Sequence, residues 1–270
     1  MKILLNNNDL NEALNNVSKL GFVPTMGSLH KGHLSLIRRS KKDCDKTIVS
    51  IFVNPNQFNN KKDFKKYPRN TNKDLLLLKN MKVNFVYLPN KKNVYNIKRK
   101  HKIKLNKKDQ ILCAKHRKGH FEGVIDVMDR LTNLIKPKKI YMGEKDFQQL
   151  YLVKNYIEKK YKSKIISCKT IRDNKGLALS SRNLLLNSKD INKARILTKH
   201  IFELKKKLRN QKNIKEIIKQ KKIKFQKLFK INIEYLELRN IKSFTISKKI
   251  KDSKIFIAYY LNKIRLIDNI

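Results

Sequence analysis

Between residues 20 and 168 short apolar runs alternate with stretches of helical spacing, and this alternation narrows the possible fold more than any other feature. Leu20 to Pro24, Thr47 to Val53, Val83 to Leu88, Lys139 to Met142 and Ile165 to Cys168 have the length and the β-branched or aromatic content of buried strands. Pro24, Asn54-Pro55 and Pro89 close three of them, because proline offers no ladder N–H and pushes its predecessor out of the helical region. Thr71 to Asn80, Phe121 to Ile135 and Phe147 to Lys159 read as the helices between. The second carries apolar residues at Val124, Val127, Met128, Leu131, Leu134 and Ile135 and is stopped by Pro137. Strands joined through helices pair in parallel, so the expected architecture is α/β, a mostly parallel sheet wrapped by helices. After Asn187 the texture changes to a Lys-rich helical stretch through Phe229. Three β-like runs follow, Ile233 to Leu238, Ile255 to Tyr260 and Ile264 to Ile267. A smaller carboxyl-terminal α+β domain is therefore expected, with domains at 1–184 and 185–270.

Ligands of such a sheet gather at the carboxyl ends of its strands. After the first strand comes Pro24-Thr25-Met26-Gly27-Ser28-Leu29-His30-Lys31-Gly32-His33, with Leu34-Ser35-Leu36-Ile37 continuing at helical spacing. A helix starting near His30 puts both imidazoles on one side of its first turn, beside N–H groups that lack an intrahelical partner. Phosphate is attracted to such a start. Gly27 and Gly32 are expected to let a nucleotide approach, and the histidines to carry charge near neutral pH. A capping pair or a metal pair is the competing reading, but no third His, Cys or carboxylate stands nearby at a familiar zinc spacing. Asn54 and Gln57, after the second strand, offer neutral donors and acceptors for hydroxyls and a carboxylate. Gly143-Glu144-Lys145-Asp146-Phe147-Gln148-Gln149 presents a lysine for phosphate oxygens, two carboxamides, and in Asp146 either a helix N-terminal carboxylate or an indirect partner of magnesium. Leu179-Ser180-Ser181-Arg182 adds two hydroxyls and a guanidinium that suit a triphosphate.

Charge needs care here. Lys and Arg number 66 against 21 Asp and Glu, a formal +45. Nucleic acid or an anionic membrane would be the usual implication. The excess, however, is mostly Lys spread along the chain with abundant Asn and Ile, residues that share A/T-rich codons. The basic runs Lys98 to Lys102 and Lys205 to Lys207 lack interleaved aromatics and clustered Arg, so no specific nucleic-acid partner is expected. Cys44, Cys113 and Cys168 form no Cys-x-x-Cys pair, which fits a reducing cytoplasm. Met1 to Leu5 is too short an apolar run for a signal peptide, and Ile255 to Leu261 falls well short of a membrane span, so no membrane partner is expected.

Laid out together, these residues closely resemble the pantothenate synthetase (pantoate–β-alanine ligase) family. The match runs in family order through Pro24–His33, Phe52-Val53-Asn54-Pro55 with Gln57-Phe58, Tyr67-Pro68-Arg69, Gly119-His120-Phe121 with Gly123-Val124, Gly143–Leu150 and Leu177–Asn183. It covers most of the first 185 residues, whereas the carboxyl-terminal third agrees only in length and texture. The resemblance implies a Rossmann-like nucleotidyltransferase domain, a small closing domain and a homodimer. ATP would be a substrate with Mg²⁺, and no cofactor would be tightly bound. It implies that pantoate is activated as pantoyl adenylate and then captured by β-alanine. His30, His33, Lys145 and Arg182 would be catalytic, His33 as general acid. Met26, Gly27, Ser28, Leu29, His30, Lys31, Gly32, His33, Gly143, Glu144, Lys145, Asp146, Ile171, Leu179, Ser180, Ser181 and Arg182 would bind ATP. Gln57 and Gln149 would hold pantoate, and Gln57 also β-alanine.

Departures from the family pattern are Lys118 for a proline, Asn56 for a methionine, Ser28 for an alanine and Val94-Tyr95-Asn96 for Met-Tyr-Pro. None removes an implied substrate contact. Another nucleotidyltransferase of the same fold is the rival enzyme, and Gln57, Gln149 and the Gly143–Gln149 run speak against it. A basic RNA-binding protein derived from the fold is the rival of another class, to be distinguished by salt-dependent RNA binding without pyrophosphate release.

Overall fold

The computed structural model describes residues 1–96 and 102–270, so the basic run Lys98 to Lys102 lies, except for Lys102, outside the described residues. The chain forms two compact units, Met1–Lys169 and Thr170–Ile270.

The first unit contains β1 (Lys2–Leu4), α1 (Asn7–Leu14), β2 (Leu20–Thr25), α2 (Lys31–Asp43), β3 (Lys46–Ile51), α3 (Lys61–Lys66), α4 (Thr71–Asn80) and β4 (Phe85–Tyr87). After these come α5 (Lys91–Val94), α6 (Cys113–His116), α7 (His120–Ile135), β5 (Lys139–Gly143), α8 (Phe147–Lys160) and β6 (Lys164–Cys168). The strands form one sheet in the order β1-β4-β3-β2-β5-β6, every pair parallel, with β1 and β6 outermost. Val23, Val49, Val86 and Tyr141 point to one face and pack with Leu36 and Ile37 of α2 and Leu78 of α4. By strand alternation Phe22, Ile48 and Ile140 point to the other face, and they too are wholly buried. Each such side chain contributes about 1.5–3 kcal/mol on leaving water. Both faces being covered explains why these strands read as continuous apolar runs rather than alternating ones.

The amino terminus holds two elements that the sequence reading passed over. Met1 to Leu5, judged only by its length, supplies the edge strand β1, and the Asn6 carboxamide caps α1 by accepting from the N–H groups of Asn8 and Asp9, both at 2.9 Å. Three residues, of which only Ile3 and Leu4 are apolar, are too few to register as a strand.

In the second unit, α9 (Ser188–Lys207) and α10 (Ile214–Phe229) precede an antiparallel sheet of β7 (Asn232–Asn240), β8 (Ser253–Leu261) and β9 (Ile264–Asn269). Leu197, Ile201, Leu204, Ile218, Phe225, Ile233, Leu236, Ile255 and Ile257 share its core. The single helical stretch expected from 188 to 229 is broken at a 3-10 turn, Leu208–Asn210. Gln211-Lys212-Asn213 carries no apolar side chain, so nothing fastens a helix there, and the apolar stripe restarts at Ile214.

Candidate active site

From β2 the chain builds β3 and β4 outward on one side, then crosses to lay β5 and β6 on the other. The switch lies between β2 and β5, where the turns leaving both strands are held side by side. The first turn carries His30 and His33, and the second is a 3-10 turn, Glu144–Asp146. Lys145 and Asp146 act electrostatically on both imidazoles. Two of the sequence-derived constellations are thus brought to one place.

His30 is the N-cap of α2. Its Nδ1 accepts the Gly32 N–H at 3.1 Å, and the His33 Nδ1 accepts the His30 N–H at 3.3 Å. The ring centroids stand 4.1 Å apart. With each Nδ1 engaged as an acceptor, the remaining ring donor of each histidine is Nε2–H. Burial is the chief influence on both rings. The His30 pKa is pushed down to about 4, with the Lys145 cation adding to the effect and Asp146 opposing it. That of His33 is pushed down to about 3, with the His30 ring contributing and Asp146 again opposing. The expectation of charge near neutral pH is therefore corrected: in this chain the pair is neutral at pH 7 and offers two uncharged donors.

Ahead of the helix, the amides of the turn itself are taken up within the protein. Gly27 N–H donates to Thr25 Oγ1 at 3.2 Å, and the Ser28 and Leu29 N–H groups donate to the two oxygens of Asp74, each at 2.7 Å. Asp74 sits in the first turn of α4 and is 2% exposed. The glycines make room for the protein's own groups. At Gly27 (φ +78) a Cβ would stand 2.9 Å from Asp74 Oδ2, and at Gly32 it would stand 2.7 Å from the His30 ring. Lys145 pairs with Asp146 at 3.3 Å, and Glu144 accepts from the Ser167 hydroxyl at 2.9 Å.

Neighbouring carboxamides divide into structural and available ones. Asn54, expected at the substrate, is 1% exposed. Its Nδ2 donates to the Gly123 carbonyl at 3.1 Å and to Gln57 Oε1 at 3.3 Å, while its Oδ1 accepts the Tyr95 hydroxyl at 2.8 Å. Asn54 thereby fastens the Pro55–Gln57 turn to α7 from within the protein. Gly123 permits the contact, because a Cβ there would collide with the Asn56 carbonyl. His120 completes the attachment by donating from Nδ1 to the Gln57 carbonyl at 2.7 Å while Nε2 accepts from Arg117 at 2.8 Å. Gln57 itself is turned toward Met26, with Nε2 2.8 Å from the sulfur. Gln148 is buried and holds the 109–113 loop, accepting from Cys113 N–H and donating to the Ile111 carbonyl at 2.8 Å. Gln149, one residue on, is half-buried, and its carboxamide makes no hydrogen bond among the described residues. Asp74, Asn54 as an anchor and His120 as an anchor were missed by sequence reasoning. The acid at 74 beside Leu75 to Leu78 was the one available signal, and it did not name a partner 45 residues away.

In the second unit Ile171 and Leu179 face each other across a short hairpin, Leu179 N–H donating to the Ile171 carbonyl at 3.0 Å. Ser180 caps the 3-10 turn Ser181–Leu185 and its hydroxyl accepts the Arg182 N–H at 3.3 Å. Arg172 pins the hairpin to β9 through Asp268, with bonds of 2.6 and 2.9 Å, and Arg195 holds Asp173 at 2.7 Å.

The sequence profile of the pantoate-beta-alanine ligase family matches residues 2–270. A pantothenate synthetase from Clostridium botulinum is 41% identical over 255 residues, 93% of this chain and 90% of the relative. Among solved structures, pantoate-beta-alanine ligase from Thermus thermophilus superposes with a TM-score of 0.93 at 29% identity, covering 100% of this chain and 99% of that one. The Francisella tularensis ligase, solved in complex with β,γ-ATP and β-alanine, gives 0.83 at 36% identity, covering 100% and 97%.

Proposed function

Because the chain belongs to the pantoate–β-alanine ligase family, we propose that it joins pantoate to β-alanine in two steps, through an enzyme-bound pantoyl adenylate. The net reaction is an ATP-dependent condensation that forms a C–N bond. In the first step a pantoate carboxylate oxygen attacks the α-phosphorus of ATP, the bond to the bridging oxygen breaks, and pyrophosphate leaves. In the second the β-alanine amine attacks the acyl carbon, AMP leaves with the acyl C–O electrons, and the amine loses a proton.

One observation carries this reading: two neutral imidazoles, each with Nε2–H as its remaining donor, stand within electrostatic reach of Lys145 at the sheet's switch point. Donors fixed before the reaction begins need no reorganisation as charge moves onto the departing pyrophosphate. We assign His30 and Lys145 to the phosphates and the general-acid role to the Nε2 proton of His33. Met26 to His33 and Gly143 to Asp146 line the nucleotide. Ile171 is assigned to adenine, and Leu179, Ser180, Ser181 and Arg182 to the triphosphate. Gln57 is assigned to pantoate and β-alanine. Gln149, with an uncommitted carboxamide, suits pantoate. The same reading gives residues 1–184 the catalytic role and 185–270 that of a lid.

Mg²⁺ enters this proposal with ATP, as part of the substrate. Among the described residues no three His, Cys, Asp or Glu side chains converge to hold an ion, and Asp146 is the carboxylate we assign to it through water. A cytoplasmic homodimer completes the proposal. Among the described residues no disulfide joins Cys44, Cys113 and Cys168, in keeping with a reducing compartment, and no described helix is long and apolar enough to cross a membrane.

The test is a half-reaction. Protein with ATP, Mg²⁺ and pantoate should release up to one pyrophosphate per site before β-alanine is present, and AMP should follow on its addition. Pyrophosphate release that requires β-alanine would refute the adenylate route.

A further inference from the structure

We propose that Asp74 is a positioning residue of the ligase: its carboxylate fills, from inside the protein, the anion-holding concavity of the Gly27-Ser28-Leu29 backbone and so fixes where the paired imidazoles stand. The proposal rests on the ligase reading and adds a residue to it.

Gly27 and Ser28 both have positive φ, +78° and +52°. In a turn, successive N–H groups can converge on one side and form a hollow that ordinarily receives phosphate or another anion. Here the Ser28 and Leu29 N–H groups meet Asp74 instead, one oxygen each, at 2.7 Å. Bonds of that length to a carboxylate belong to the strong, charge-assisted class. Ser28 is held in a backbone region that a serine avoids when unsupported. The next residues are tied in turn, His30 N–H to His33 and Gly32 N–H to His30. Upstream, the Thr25 hydroxyl accepts from Gly27 N–H and donates to the Ser50 carbonyl at 2.7 Å. The carboxylate is itself held still. Asp74 N–H bonds the Asn70 carbonyl at 3.0 Å, and the Asn70 side chain caps Lys73 N–H at 3.0 Å.

Two consequences follow. The amides of Gly27, Ser28, Leu29, His30 and Gly32 are engaged within the protein, so the two Nε2–H groups and Lys145 become the principal side-chain donors offered to phosphate at these turns. The placing of the two imidazoles, in turn, depends on a side chain that has no role in touching substrate.

The experiment compares the unsubstituted chain with Asp74→Ala and Asp74→Asn in the pyrophosphate-release half-reaction and in aminolysis of supplied pantoyl adenylate. Displacing reacting groups by an ångström costs about 100-fold. Asp74→Ala is expected to lose about that factor in kcat/KM for ATP, with aminolysis little changed. Sodium formate, matched against sodium chloride at equal ionic strength, should restore part of the loss by refilling the hollow, and should raise the melting temperature of Asp74→Ala but not that of the unsubstituted chain. Asp74→Asn, which keeps the shape and one acceptor oxygen, should fold even if Asp74→Ala does not, and should lose less.

Unchanged kcat/KM in Asp74→Asn, or an Asp74→Ala protein indifferent to formate in both rate and melting temperature, would overturn the proposal. Failure of the unsubstituted chain to release pyrophosphate would count against the ligase reading alone, because the formate-dependent melting shift reads Asp74 without any turnover.

Discussion

Neutral, partly buried imidazoles at the start of α2 make the stability of this protein depend on pH in a defined window. A histidine whose pKa is depressed by folding contributes stability that is complete above its unfolded value, near 6.5. That contribution is lost as pH falls toward the folded value. For His33, with a folded pKa of about 3, and His30, at about 4, moving from pH 8 to pH 5 forfeits about 2 kcal/mol each, from the ratio of protons bound in the two states. The sum, about 4 kcal/mol, is a large part of a typical folding free energy of roughly 5–15 kcal/mol. The control is the double variant His30→Asn/His33→Gln, which keeps an N-cap acceptor and a third-position carboxamide but has nothing to titrate. Urea unfolding followed by circular dichroism at pH 8, 6.5 and 5 should show the unsubstituted chain losing about 4 kcal/mol more than the variant across that range. Parallel pH dependences in the two proteins would refute both the depressed pKa values and the acceptor role of the two Nδ1 atoms.

Two further substitutions test the supports of the site. Gly123→Ala drives a methyl into the Asn56 carbonyl and to 3.0 Å from Gln57 Cα. It should destabilise by about 1–3 kcal/mol and raise the KM for pantoate more than that for ATP, as steady-state kinetics will show. Arg172→Lys keeps the charge but not the fork that holds Asp268, the Gly176 carbonyl and the Asn269 carbonyl. It should lower unfolding free energy by about 1–3 kcal/mol in urea titrations, and an unchanged midpoint would show that the fork adds nothing.

Periodicity and punctuation made much of the architecture legible. Helix α4 spans Thr71–Asn80 as its spacing implied, and β2, β5 and α7 lie within a residue or so of the expected runs. Strand-end chemistry likewise pointed to the turns that meet at the switch point. What stayed illegible was the use made of each polar group. Asn54 and Gln57 lie in one loop with equivalent chemistry, and only burial against α7 shows that the first is an anchor. Gln148 and Gln149 differ in the same way, since adjacent residues on a helix face different directions. Asp74 near the start of a helix resembles an ordinary dipole partner; its bond to a turn 45 residues earlier exists only once β2 and α4 share a core. Imidazole charge depends on solvent access, which no local pattern records.

Among the described residues the parallel sheet ends in two strands with no further strand paired to them, β1 and β6, and unpaired strand edges invite other chains to anneal. Three residues of β1 give little template. At β6 Lys162, Lys164 and Lys169 bracket the edge with like charge. Like charge there sets copies of this chain to repel one another at that strand, which opposes edge-to-edge pairing while the sheet forms.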